Sequence, residues 1–215
     1  MSFDINIINQ NKIEALNSIR NFHQISPSQL LAFENFVADL LNENQLYNFI
    51  GKSTINDIWH RHILDSIQLV KHLNNFTDKF ADFGSGAGFP GVILSIAGVK
   101  EIHLIEKAFR KADFLRKIKN ISPNKIFVHQ KKLEEITNLK FDCIVSRALA
   151  PLDKLLNYCN IFLEPNGYCL FLKGKNLPQE IALAKQNFNF TYELFPSITN
   201  KESNIIKITN LSILK

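Results

Sequence analysis

The chain has 215 residues, 46% of them hydrophobic and 21% charged, with 18 Phe and a formal net charge of +5. Its apolar runs are short and broken by polar residues, which excludes a membrane-spanning helix of about 20 residues, and the start "MSFDINIINQNKIEAL" shows no secretory signal, so a cytoplasmic protein is expected. Cys143, Cys159 and Cys169 are odd in number and lack CxxC or Cys/His spacing, so free buried thiols are expected rather than a disulfide framework or a bound metal.

Residues 1–78 read as a helical N-terminal extension packed on a main domain. "SPSQLLAFENFVADLL" starts with a cap-like Ser26 and Pro27 in the first turn, followed by apolar residues at helical spacing. A second helix is predicted over roughly 54–73, containing "DIWHRHILDSIQLV" (57–70). At 100° per residue Ile55, Trp59, His62, Ser66, Val70 and Leu73 share one face, with Asp65 at its edge. Arg61 and Asp65 are placed as i,i+4 partners. The plain expectation is a core histidine, His62, satisfied by Asp65 or a backbone group. The alternative sets Arg61, His62 and Asp65 at the border of a substrate pocket. His60 and His62 point to different helix faces, so they do not suggest a metal pair.

From residue 79 short hydrophobic strands alternate with helices: "KFADFG" (79–84), "EIHLIE" (101–106), "KIFVHQ" (125–130), "FDCIVSRA" (141–148) and "YCLFLKG" (168–174), with β-type segments near 189–195 and 204–211. This alternation predicts an α/β domain over 79–215, a Rossmann-like, doubly wound and mainly parallel sheet.

The first strand runs into "ADFGSGAGFPGVILSI" (81–96), where Gly84, Gly86, Gly88 and Gly91 fall within eight positions of a chain with eight glycines in all. A tight turn after a strand needs residues tolerant of positive φ, and a ligand lying against backbone needs residues without Cβ. The helix that follows offers free N–H groups to an anionic group. Glu106 ends the next strand, where an acid commonly accepts hydrogen bonds from an adenosine ribose. A nucleoside-cofactor site is therefore expected, with a merely tight strand–helix turn as the alternative. "GAGFPG" also satisfies GxGxxG, which keeps a nicotinamide-dependent oxidoreductase open. The long helical segment before the loop and the two β segments after the fifth strand fit a seven-stranded methyltransferase sheet better.

Charge is unevenly placed. Residues 1–79 carry 6 basic and 8 acidic side chains, whereas residues 80–215 carry 19 and 12. Within 107–132, nine basic residues face Asp113 alone. A basic face beside a cofactor site suggests a polyanionic partner such as RNA, the alternative being a solvated helix face in a Lys-rich chain.

"RHILDS" (61–66), "DFGSGAGFPG" (82–91), "LIEKAFRKADFLR" (104–116), "LEE" (133–135), "FDCIVSRALAPL" (141–152) and "LKG" (172–174) together resemble the bacterial 16S ribosomal RNA guanine-N7 methyltransferase family, also called the glucose-inhibited division protein B family. The resemblance covers roughly residues 30–180. It implies a class I methyltransferase fold, S-adenosylmethionine as donor, and as substrate a guanine of 16S ribosomal RNA, free or in a small-subunit particle; separately, a monomer is expected. It also implies cofactor contacts from Gly84 and Phe89 in the loop, joined by Gly86 and Gly88, from Glu106 to the ribose, from Leu133 and Glu134 near the adenine, and from Arg147 at the end of the fourth strand. The family's Trp-Asn and Asn-Leu-Thr stretch reads "LNENQLYNFIGKST" here, and its usual Arg before the Leu-Glu pair is Lys132, which loses bidentate contacts. Guanine N7 carries a lone pair and no proton, so such chemistry needs positioning rather than a general base. A non-catalytic RNA-binding relict of the fold is the remaining alternative.

Overall fold

The computed structural model describes residues 4–214. Helix α1 (Ile5–Arg20) begins at Asp4, whose carboxylate accepts from the N–H groups of Asn6 and Ile7. Helix α2 (Pro27–Tyr47) has Ser26 as N-cap in a reciprocal capping box with Gln29, and Asn48 ends it at φ 49°. Both ends satisfy backbone groups that would otherwise be left without partners.

The helix expected over 54–73 is wound in three ways: a π turn at Trp59–Leu64, a short α turn (α3, Asp65–Ile67) and a 3-10 turn at Gln68–His72. This corrects the single-face expectation. A π turn followed by a 3-10 turn breaks the 100° repeat, and the segment is enclosed on nearly all sides. Trp59, Ile63, Leu64, Ile67, Leu69 and Val70 are all buried, and Leu73 already has extended backbone.

Seven strands follow: β1 (Lys79–Phe83), β2 (Glu101–Ile105), β3 (Lys125–His129), β4 (Phe141–Arg147), β5 (Leu163–Lys173), β6 (Phe188–Pro196) and β7 (Asn204–Ile213). The sheet order is β3-β2-β1-β4-β5-β7-β6. Strands β1 to β5 pair in parallel, while β7 runs antiparallel to both β5 and β6. Between strands lie α4 (Gly91–Ala97), α5 (Phe109–Ile118), α6 (Leu152–Phe162) and α7 (Leu177–Ala184). The order reverses between β1 and β4, and in such sheets ligands bind beyond the carboxyl ends of the strands at that reversal.

Two cores sandwich the sheet. One joins Phe33 and Phe36 of α2, Trp59 and Ile63 of the wound segment, and Phe114 of α5 to Phe80, Leu104 and Val145 of the sheet. The other packs Leu155, Leu156 and Ile181 of α6 and α7 onto Phe83, Ile144 and Phe171. The N-terminal helices thus share one continuous core with the sheet, and the wound segment is fixed beside the ends of β1 and β4. Cys143, Cys159 and Cys169 are buried and unbridged.

Candidate active site

Beyond β1 the chain turns through Gly84, Gly86 and Gly88 at φ 72°, 57° and 103°, a region that favours glycine. The N–H groups of Gly88 and Phe89 donate to the Ser85 carbonyl at 2.7 and 3.0 Å, and Ser85 Oγ donates to the Asp82 carbonyl at 3.0 Å. Pro90 lies just before the helix, which starts at Gly91. A Cβ on Gly91 would stand 2.4 Å from Leu104 Cδ2 and 2.7 Å from Asp82 Oδ2, so this glycine lets α4 press against β1 and β2. A Cβ on Gly88 would meet Val92 Cγ2 at 2.7 Å, whereas one on Gly86 would find nothing nearer than 3.8 Å. Gly91 and Gly88 therefore serve packing, and Gly86 leaves backbone open to a ligand.

Glu106, beyond β2, is buried. Its Oε2 accepts from Gly86 N–H at 3.0 Å and its Oε1 from Ala108 N–H at 2.7 Å, tying the glycine loop to the neighbouring strand end. Asp82 is fully buried; Oδ2 accepts from Gly91 N–H at 2.9 Å and Oδ1 has no partner among the described residues. Burial pushes its carboxyl up to about 7.

A cavity of about 640 Å³ opens in front of the loop and brings together Gly84, Gly86, Glu106, Leu133 and Glu134. Glu134 accepts a hydrogen bond from the Tyr158 hydroxyl. An open glycine cradle and a carboxylate fixed at the next strand end fit a nucleoside cofactor. Lys107, Lys111, Lys131, Lys132 and Lys154 edge this cavity, and none of their ammonium groups is ion-paired among the described residues. By contrast Lys117 is paired with Glu43 and Asp113, and Lys125 with Glu101. The basic stretch therefore presents fewer uncommitted charges than its nine residues suggest.

Gly88, Phe89 and Arg147 do not line this cavity, which places three of the sequence-predicted cofactor residues outside it. Phe89 is apolar and 4% exposed, packed edge-on to Phe36 and stacked on the His62 ring at 4.9 Å. The Arg147 guanidinium lies over the Phe89 ring at 5.0 Å, a cation–π geometry. It donates to His62 Nδ1 at 2.8 Å, to Asp65 Oδ2 at 3.2 Å and to the Arg61 carbonyl at 3.1 Å.

These contacts fix the state of His62. Arginine only donates, so His62 Nδ1 is the acceptor and Nε2 carries the proton, donated to Thr54 Oγ1 at 2.9 Å. Burial first, then the charges of Arg147 and Arg61, push the imidazole down to about 3, so it is neutral. The expected His62–Asp65 partnership is corrected: Asp65 accepts from Arg147, from Gln68 Nε2 at 3.0 Å and from Thr199 Oγ1 at 2.6 Å. The expected Arg61–Asp65 pair is likewise absent among the described residues. Arg61 is exposed, and it is Arg147, arriving from β4, that reaches the carboxylate.

A second cavity, of about 430 Å³, lies beyond the ends of β4 and β5 and includes Asp65, Arg147, Lys173, Gly174 and Glu180. Ala148, Leu149 and Ala150 line both cavities. Ala148 takes φ 53°, and Leu149 lies over Gly84, its Cδ1 2.6 Å from where a Cβ there would be. The bend carries the strand-end loop across the boundary between the two spaces. Sequence reasoning reached Asp65 and Arg147 but missed Thr54, Leu149, Glu180 and Thr199. Of the second cavity's floor, only "LKG" stood out in the sequence.

A β3-β2-β1-β4-β5-β7-β6 sheet with a glycine loop after β1 and an acid after β2 defines a class I S-adenosylmethionine-dependent methyltransferase fold. Solved structures share it: the ribosomal protein L11 methylase of Lactobacillus delbrueckii subsp. bulgaricus superposes with a TM-score of 0.57 at 19% identity, over 70% of this chain and 78% of that one. M. jannaschii TYW2 in complex with AdoMet gives 0.52 at 15% identity, over 70% and 77%. The GidB family model, rRNA small subunit methyltransferase G, matches residues 29–209. Proteins named ribosomal RNA small subunit methyltransferase G are 38% identical over 184 residues in Rhodospirillum centenum (86% of this chain, 84% of the relative) and 38% over 189 residues in Rickettsia typhi (86% and 97%). The chain belongs to this family.

Proposed function

We propose that this chain is an S-adenosylmethionine-dependent methyltransferase that modifies N7 of a guanine in 16S ribosomal RNA. The observation that carries the reading is the pair of adjoining cavities sharing the Ala148–Ala150 wall, one before the glycine loop and one beyond β4 and β5. Transfer between two bound groups needs such adjacency, because in-line geometry supplies most of the rate.

Bound S-adenosylmethionine supplies an electrophilic methyl group on a sulfonium. Gly84 and Gly86 would give backbone for its amino-acid end to lie against, Glu106 would accept from the ribose, and Leu133 and Glu134 would border the adenine. Asp82, behind the loop, anchors the start of α4 through Gly91 N–H. Arg147, held by Asp65 and His62, keeps the strand-end loop in place. Neutral His62 has both nitrogens committed, which suits an acceptor atom with no proton to remove. Lys107, Lys111, Lys131 and Lys132 offer phosphate contacts that position the RNA.

Among the described residues no helix is long and apolar enough to cross a membrane. The reading is tested by supplying labelled donor and 16S RNA lacking the modification. Label at guanine N7, seen as strand scission after borohydride and aniline, supports it; label at another atom overturns the N7 assignment.

A further inference from the structure

The second cavity carries a donor and an acceptor that the methyl-transfer chemistry does not use. Lys173 Nζ donates to the Ala150 carbonyl at 2.8 Å and to Glu180 Oε2 at 2.5 Å. Glu180 Oε2 also accepts from Leu152 N–H at 2.8 Å. An ammonium has three N–H donors and a carboxylate two acceptor oxygens. After these bonds Lys173 retains one N–H, and Glu180 Oε1 has no donor among the described residues. Both side chains are partly enclosed, at 8% and 23% exposure, and line the cavity, so an uncommitted donor and acceptor are held there side by side. Asp65, the other carboxylate of the cavity, has both oxygens occupied.

The floor beside them is open. A Cβ on Gly174 would have no atom within 4 Å, and its backbone is not left-handed, so glycine is not required there by conformation. The exposed backbone of Gly174 leaves the space beside Lys173 unobstructed. The "LKG" stretch therefore contributes one polar anchor and one clearance.

We infer that Lys173 and Glu180 read the Watson–Crick edge of the target base, Lys173 donating to O6 and Glu180 Oε1 accepting from N1–H of a guanine. This rests on the proposed transfer to guanine N7. Guanine offers an acceptor at O6 next to a donor at N1, which complements the neighbouring Lys N–H and Glu oxygen. Adenine inverts both positions, presenting an N6 donor to the ammonium and an N1 lone pair to the carboxylate. A site built on such bonds rejects the inverted partner because donor then meets donor and acceptor meets acceptor. Lys173 and the Leu152 N–H fix Glu180, so the free oxygen is preorganised.

The test compares kcat/KM for two RNAs that differ only in guanosine or adenosine at the target position. Wild-type enzyme is expected to favour guanosine by about 100-fold or more. In Glu180→Gln the amide oxygen can keep the Lys173 and Leu152 bonds while its nitrogen becomes a donor toward adenine N1. The guanosine-to-adenosine ratio is then expected to narrow at least tenfold, a change that loss of a structural clamp would not produce because it slows both substrates alike. Methylation of guanosine with an unchanged ratio in Glu180→Gln overturns the assignment of Glu180 alone. Equal wild-type rates on the two RNAs overturn it without any variant. A wild-type enzyme that leaves guanine N7 unmethylated overturns both this inference and the function on which it rests.

Discussion

The Arg147 guanidinium donates to His62 Nδ1 at 2.8 Å and so joins the end of β4 to the wound helical segment. The same guanidinium is paired with Asp65 and lies over Phe89, so one side chain ties together three stretches distant in sequence. Replacing it by Lys keeps a charge but loses the planar fork. Arg147→Lys is expected to lower stability by about 1–3 kcal/mol, the cost of leaving partly buried acceptors unpaired. Methyl transfer is expected to fall by more than the stability loss explains, checked by thermal melts alongside single-turnover rates.

His62 makes stability depend on acidity. Its folded pKa, about 3, lies below the ordinary 6.5, so between those values the unfolded chain binds the extra proton. The stabilising contribution is complete above pH 6.5 and is lost as pH falls toward 3. His62→Gln, which cannot titrate, should flatten this limb of the stability–pH curve measured by urea unfolding between pH 4 and 7.

Asp82 acts in the opposite sense. Its carboxyl is raised from 3.8 to about 7, so the folded chain holds a proton that the unfolded one releases. Its contribution is complete below pH 3.8 and is lost as pH rises through 7. Asp82→Asn should remove that decline between about pH 4 and 7. An unchanged slope would mean that Asp82 is ionised in the fold.

The loop glycines separate by environment. Gly91→Ala forces a methyl into Leu104 and Asp82 and should cost about 1–3 kcal/mol through overpacking. Gly86→Ala meets no neighbour and costs only about 1–2 kcal/mol for its left-handed backbone. It should nonetheless weaken S-adenosylhomocysteine binding about tenfold or more, read by titration calorimetry.

The lysines at the cavity edge predict salt dependence. Lys131→Gln with Lys132→Gln should reduce the slope of log affinity for RNA against log salt by roughly 1.4, two single-strand phosphate contacts at about 0.7 each. An unchanged slope would remove these two residues from the RNA-binding face.

The strand–helix alternation, the glycine loop and Glu106 were legible in the sequence because each answers a local demand: short continuous apolar runs for strands buried on both faces, positive φ, an acid at a strand end. Gly84, Gly86, Glu106, Leu133 and Glu134 accordingly meet in one cavity. The partners of His62 were not legible. A single helical repeat assigns Asp65 and Arg61 as neighbours, whereas the π turn at Trp59–Leu64 alters the winding and Arg147 arrives from a strand more than 80 residues away. Glu180 was invisible for a similar reason: its bond to Lys173 spans the turn between β5 and α7, where no periodic pattern relates the two.

The central claim is methyl transfer to guanine N7 in small-subunit ribosomal RNA, and nucleotide-resolution mapping after reaction with labelled donor tests it most directly. The account predicts one labelled guanine, cleaved at that position after borohydride and aniline treatment, and no labelling by Glu106→Ala at matched protein concentration. Label on an exocyclic amine, on a ribose 2′-hydroxyl or on no RNA nucleotide would contradict it.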